Sequence, residues 1–103
     1  MGSVNSADNF TWLEHWYSSQ CNGDWEHNYG VTIESIDNPG WRVKIDLNGT
    51  RYAALPNFDI KENYDSDSEW MVCKIVEGVY EGVAGPFMLG PIIQTFRSWI
   101  ENF

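Results

Sequence analysis

Two cysteines in 103 residues, far apart at Cys21 and Cys73 and without a CxxC pair, leave no disulfide framework and no zinc knuckle to expect. Both thiols should be reduced, with Cys73 inside a strand core. No apolar run reaches the 18 residues of a membrane span, and the opening MGSVNSADNF has neither the basic start nor the apolar core of a signal peptide. A cytoplasmic protein is expected, with residues 1–8 as a flexible N-terminus or a cloning remnant. Phosphate-cradling glycine motifs and a GxSxG elbow are missing too, since Gly82, Gly85 and Gly90 are too dispersed to serve. Cations are scarce: six Lys and Arg stand against fifteen acids, a formal net charge of −9. That balance opposes nucleic acid and anionic membranes as ligands. It suits a basic protein partner, although acidity is also a common solubility device.

What the chain does have is aromatic bulk, with six Trp, five Tyr and five Phe in a length that fits one domain, residues 9–103. Phe10, Leu13, Trp16 and Tyr17 recur at helical spacing, predicting a helix over about 9–20. Asp8 or Asn9 can cap its start, and Asn22-Gly23 can stop it. Strict alternation then predicts a hairpin of 31–36 and 41–47. Its turn, Asn38-Pro39-Gly40, reads as type II with Gly40 at a positive φ. Asn48-Gly49 predicts a turn into a third strand, 50–55. A fourth strand follows at 70–76 and a short one at 79–84, which Gly82 and Gly85 weaken and assign to an edge. Ile92, Ile93, Phe96, Trp99, Ile100 and Phe103 form one face of a final helix, opened by Pro91. The fold class is α+β: an N-terminal helix, a four- to five-stranded antiparallel meander and a C-terminal helix, with both helices on one sheet face. The other face, or a sheet edge, is left for a partner.

The richest chemistry sits at Cys21, Asp24, Glu26 and His27. A thiol nucleophile needs a base in hydrogen-bond reach, so a small cysteine-dependent enzyme using Cys21 and His27 is the rival to a binding protein. The spacing matches no cysteine-protease or redox motif, and neither a metal nor a cofactor is expected. If residues 24–29 run extended, Trp25, His27 and Tyr29 share a packed side, with Asp24 and Glu26 on a wet rim. Asp59, Glu62, Asp65, Asp67 and Glu69 read as a solvated acidic loop without the register of an EF-hand. These five acids are the first candidates for binding a partner, and Asp24, Glu26 and His27 the second.

As patterns, Trp12-Leu13 with Trp16-Tyr17, the run Cys21–Gly30, Asp37–Trp41, Lys44–Leu47 and Ala84-Gly85-Pro86 resemble the bacterial immunity protein 53 family of polymorphic toxin systems. Asn22 departs from the acid frequent at its position there. The resemblance implies a non-enzymatic inhibitor that binds a cognate toxin, and a basic nuclease would fit the charge. It also implies that Trp16, Cys21, Trp25, Tyr29, Gly40 and Trp41 serve the fold, with Trp25 and Trp41 as core anchors. The oligomeric state does not follow from the sequence.

Overall fold

The computed structural model describes residues 6–62 and 66–103. In chain order come α1 (Ser6–Gln20), α2 (Trp25–Asn28), β1 (Val31–Ile36), β2 (Gly40–Asp46), a 3₁₀ turn (Arg51–Ala54), β3 (Phe58–Glu62), β4 (Met71–Val76), β5 (Val79–Ala84) and α3 (Leu89–Glu101). The α+β class stands, with a helix toward each end and an antiparallel sheet between them. The five strands lie in the order β1-β2-β5-β4-β3. This departs from a consecutive meander, because after β2 the chain crosses to the far edge and returns through β4 and β5.

Residues 50–55 do not make the expected third strand. Thr50 accepts a hydrogen bond from the Tyr52 amide and starts the 3₁₀ turn, and the third strand forms instead at Phe58–Glu62. Nor is β5 an edge. It lies between β2 and β4, and each of its residues is buried or half-buried. Gly82, which read as a weakness, is what lets α3 approach: a Cβ there would meet the Ile92 side chain at 3.0 Å. The turn into β5 is as expected, since Glu77 and Gly78 have φ of 55° and 78°, both positive as a two-residue hairpin of this hand demands. The β1–β2 turn is another matter. The Asn38-Pro39 peptide is cis, and Gly40 is required not for a positive φ but for space, as a Cβ would sit 2.1 Å from the Ala84 carbonyl oxygen.

One sheet face is apolar. Val43, Ile45, Cys73, Ile75, Tyr80 and Ala84 are fully buried on it, and α3 covers β2, β5 and β4 with Ile92, Ile93, Phe96 and Ile100. Pro91 sits in the first turn of α3, where its missing N–H has no intrahelical acceptor to lose. Packed on α3 from the same side, α1 begins at Ser6 rather than near residue 9. Aromatic rings lock the layers: Phe96 meets Trp16 at 5.1 Å and Tyr80 at 5.0 Å between centroids. The Tyr80 hydroxyl donates to the Ile92 carbonyl, and burial, aided by Cys73, pushes this phenol well above its ordinary pKa. Trp16 and Trp25 bury their indole N–H groups without a hydrogen-bond acceptor among the described residues. Their rings meet edge to face at 88°, a geometry in which an N–H can lie against a π face. Of the α1 stripe only Leu13 and Trp16 are buried; Phe10 and Tyr17 are exposed beside β1, to one side of the strands on which α3 packs.

Candidate functional site

The segment from Cys21 to Tyr29 is a self-capped turn. After α1 ends, the Asn22 side-chain oxygen accepts hydrogen bonds from the amides of Asp24 and Trp25, at 2.9 and 3.0 Å. Glu26 reaches back, its two carboxylate oxygens accepting from the amides of Asn22 and Gly23 at 2.9 and 2.8 Å. This is a reciprocal cap in the sense of a capping box, and an acid at position 22 would accept the same two bonds. The cap bends residues 24–28 into a helical turn, which overturns the extended reading and parts Trp25 from His27 and Tyr29. Trp25 is sealed in the core while the other two are exposed. Hydrogen bonding to its own backbone N–H holds the Glu26 carboxyl below its ordinary pKa; some burial opposes this, while the Asn22 and Gly23 amides and the positive charge of His27 add to it.

Cys21 is half-buried against the core, and its thiol donates to the Tyr17 carbonyl at 3.3 Å. The same thiol side chain, by hydrogen bonding first and by its charge second, raises the pKa of the Tyr17 phenol. No hydrogen bond joins Cys21 to His27, so the nucleophile and base pair is not assembled among the described residues. No group of three His, Cys, Asp or Glu side chains converges there as a metal site either.

The acidic candidates are dispersed. Asp59 is on the outer sheet face across from Lys74. Asp67 and Glu69 are exposed at the end where β4 begins, and Asp67 lines a hollow with Asn38, Ser66 and Trp70. Asp65 lies outside the described residues, as does the side chain of Glu62. Asp24, Glu26 and His27 are at the opposite end, where β1 begins. The six-residue length of β1 separates the two groups by about 20 Å. Between them the outer face is neutral. Arg42, Lys44, Lys61 and Lys74 share it with Glu34, Asp46, Asp59 and Glu81. Arg42 contacts Glu34 at 3.0 Å, and its Nε lies 3.4 Å from Glu81, an ion-pair distance without the alignment of a hydrogen bond. Eleven acids therefore remain against Arg51 and Arg97 alone, so the net charge of −9 belongs to the rest of the molecule.

A family model described as Immunity protein 53 matches residues 10–101. The chain belongs to this family. Comparisons with curated proteins and with solved structures find no match. Most of the residues that carried the family resemblance lie in or against the core of this Immunity protein 53 chain. Trp16 and Trp25 build the aromatic core, Cys21 packs against it, and Gly40 admits the Ala84 backbone. Trp41 is a half-buried anchor whose indole N–H donates to the Pro86 carbonyl at 3.0 Å. Tyr29 is exposed.

Tyr29 belongs instead to a feature of this Immunity protein 53 domain that periodicity alone did not disclose. A groove of about 480 Å³ runs between α1 and the edge strand β1. Phe10, Leu13, Tyr17, Tyr29, Val31 and Ile33 line it, with Glu14 as its charged lining residue. The available signal was an apolar stripe on α1 wider than one packing partner can cover. Helical spacing marks such residues as facing inward but does not say what lies opposite.

Proposed function

We propose that this protein binds a cognate bacterial polymorphic toxin domain in the cytoplasm of the producing cell. It neutralises that domain without catalysis, by occluding its active surface. Membership of the Immunity protein 53 family carries this reading. The toxin surface is basic, such as the phosphate-binding groove of a nuclease, because the net charge of −9 lies off the neutral sheet face and would attract it. Asp67 and Glu69 at one end, and Asp24 with His27 at the other, are the exposed contacts. Glu26, Asp59, Glu62 and Asp65 complete the proposed acidic set.

The test is co-expression with the C-terminal domain of the polymorphic toxin encoded beside this protein, scoring survival and isolating the complex. Rescue by both wild type and Cys21→Ala, with a stoichiometric complex, supports inhibition by binding. Loss of rescue in a correctly folded Cys21→Ala variant would favour the thiol chemistry instead. Reversing Asp67 and Glu69 to Lys should slow association about tenfold at low salt, and much less at high salt, where surface charges are screened. An affinity indifferent to salt would rule out the basic target.

A further inference from the structure

Among the described residues β1 is bonded on one side only. Its partner is β2, in register Val31 to Ile45 and Ile33 to Val43, and the sheet ends there. Just before the strand, the Asp46 amide donates to the Gly30 carbonyl at 3.1 Å, which fixes the phase of the ladder. Antiparallel pairs alternate between bonded and non-bonded. Gly30, Thr32, Glu34 and Ile36 therefore turn their backbone groups toward β2. Val31, Ile33 and Ser35 turn theirs outward to the open edge, and the side chains of Val31 and Ile33 are the ones that line the groove. Open backbone and apolar side chains thus come from the same residues.

Beside that edge, Phe10, Tyr17, Tyr29 and Ile33 are 36, 39, 40 and 42% exposed, four of the seven large exposed hydrophobic residues among those described. Glu14 faces into the groove, and no cation lines it. The strand also runs from the end that holds Asp24 to the end that holds Asp37, with Asp67 across the hollow beside Asn38. Acids therefore stand at both ends of an apolar, backbone-open track.

We propose that β1 accepts an extended segment of the toxin as a sixth strand. Alternate apolar side chains of that segment enter the α1–β1 groove, and its Lys or Arg residues meet the acids at the two ends. Main-chain hydrogen bonds supply affinity in this mode, and pockets for alternate side chains supply specificity. A second copy of this chain is the less fitting occupant, since it would bring another −9 to the same acidic edge. The proposal rests on the toxin-binding reading above and narrows it to one surface.

Amide hydrogen exchange by NMR, on the ¹⁵N-labelled protein with and without the toxin domain encoded beside it, reads the ladder directly. In the free protein Thr32, Glu34 and Ile36 should exchange slowly, and Val31, Ile33 and Ser35 fast. On binding, the fast set should slow at least about tenfold. Two variants accompany it: Ile33→Lys, which puts a cation into the groove, and Ser35→Pro, which removes an outward N–H but none of the β1–β2 bonds. Each should weaken toxin binding by about tenfold or more while circular dichroism and thermal melting stay near wild type. If Ser35→Pro fails to fold, Ile33→Lys still decides. Wild-type binding and rescue with unchanged exchange at β1 and unaffected variants would overturn the docking surface and leave the immunity reading intact. Outward amides already slow in the free protein would overturn it as well, assigning the edge to a second copy if the protection rises with concentration and to this chain's own N-terminus if it does not. A wild-type protein that neither binds nor rescues would remove both readings together.

Discussion

On β2, Val43 and Ile45 are sealed beneath a helix; on β1, their ladder partners Ile33 and Val31 face an open groove. The side chains of the two strands share alternation, residue type and sheet face, but β2 is paired on both sides and lies under a helix, while β1 is an edge without that cover. α3 spans β2, β5 and β4, while α1 leans on α3 rather than on β1. A pleated strand thus decides which side chains share a face, and the placement of helices decides which of them stay wet. In a binding protein the second decision makes the interface.

Phe96→Ala tests the covered side with the largest expected effect. Phe96 is fully buried among Trp12, Trp16 and Tyr80, so truncation should cost about 3 to 5 kcal/mol of unfolding free energy, read by urea denaturation. A loss below about 1 kcal/mol would mean that the helical layer is far looser than the ring contacts indicate.

Asn22→Ala should cost about 1 kcal/mol, because the cap that leads the chain through Trp25 into β1 loses two hydrogen bonds at once. Its partner Glu26 adds a pH dependence of definite sign. The folded-state pKa is lowered, so Glu26 stabilises the fold in full above its unfolded pKa, and the contribution fades as pH falls through the folded value. Melting temperatures of wild type and Glu26→Gln, measured from neutral pH down to the acid limb, should differ most near neutrality and converge in acid. A constant gap would show that the carboxylate charge is not what matters.

Ile33→Thr is the smallest perturbation and the sharpest one for the comparison. On the bare strand it should shift stability by no more than about 0.5 kcal/mol, against several for Phe96 on the covered side. A loss of 2 kcal/mol on denaturation would mean that β1 is covered in solution and that the contrast between the strands is false.

Much of the fold was legible because a few residues left little choice. Alternation placed β1 and β2, an apolar run on both faces placed β4, and the Ile92, Phe96 and Ile100 stripe placed α3. Glu77-Gly78 turned β4 into β5. Two departures share one cause. The Asn48-Gly49 turn points 50–55 to a strand, and the alternation of Trp25, His27 and Tyr29 with Asp24, Glu26 and Asn28 points 24–29 to extended chain, yet the Thr50 hydroxyl and the Asn22 amide oxygen bond the backbone locally and turn both segments into helical turns. Gly82 looked like an edge defect because its value lies in the helix above it, and Gly40 looked like a turn residue because Ala84 is distant in sequence. The candidate site divided the same way. Acidity was plain from composition, but its splitting into two ends around a neutral sheet face was not.

By itself the sequence determined the class of fold, the residues that share each strand face and helix stripe, and the family, because these rest on local periodicity and on a run of motif residues. Only the tertiary structure decided the strand order, the central place of β5 and the bare edge beside α1. Those depend on contacts between residues far apart in the chain, and on the area one helix can cover on a sheet wider than itself.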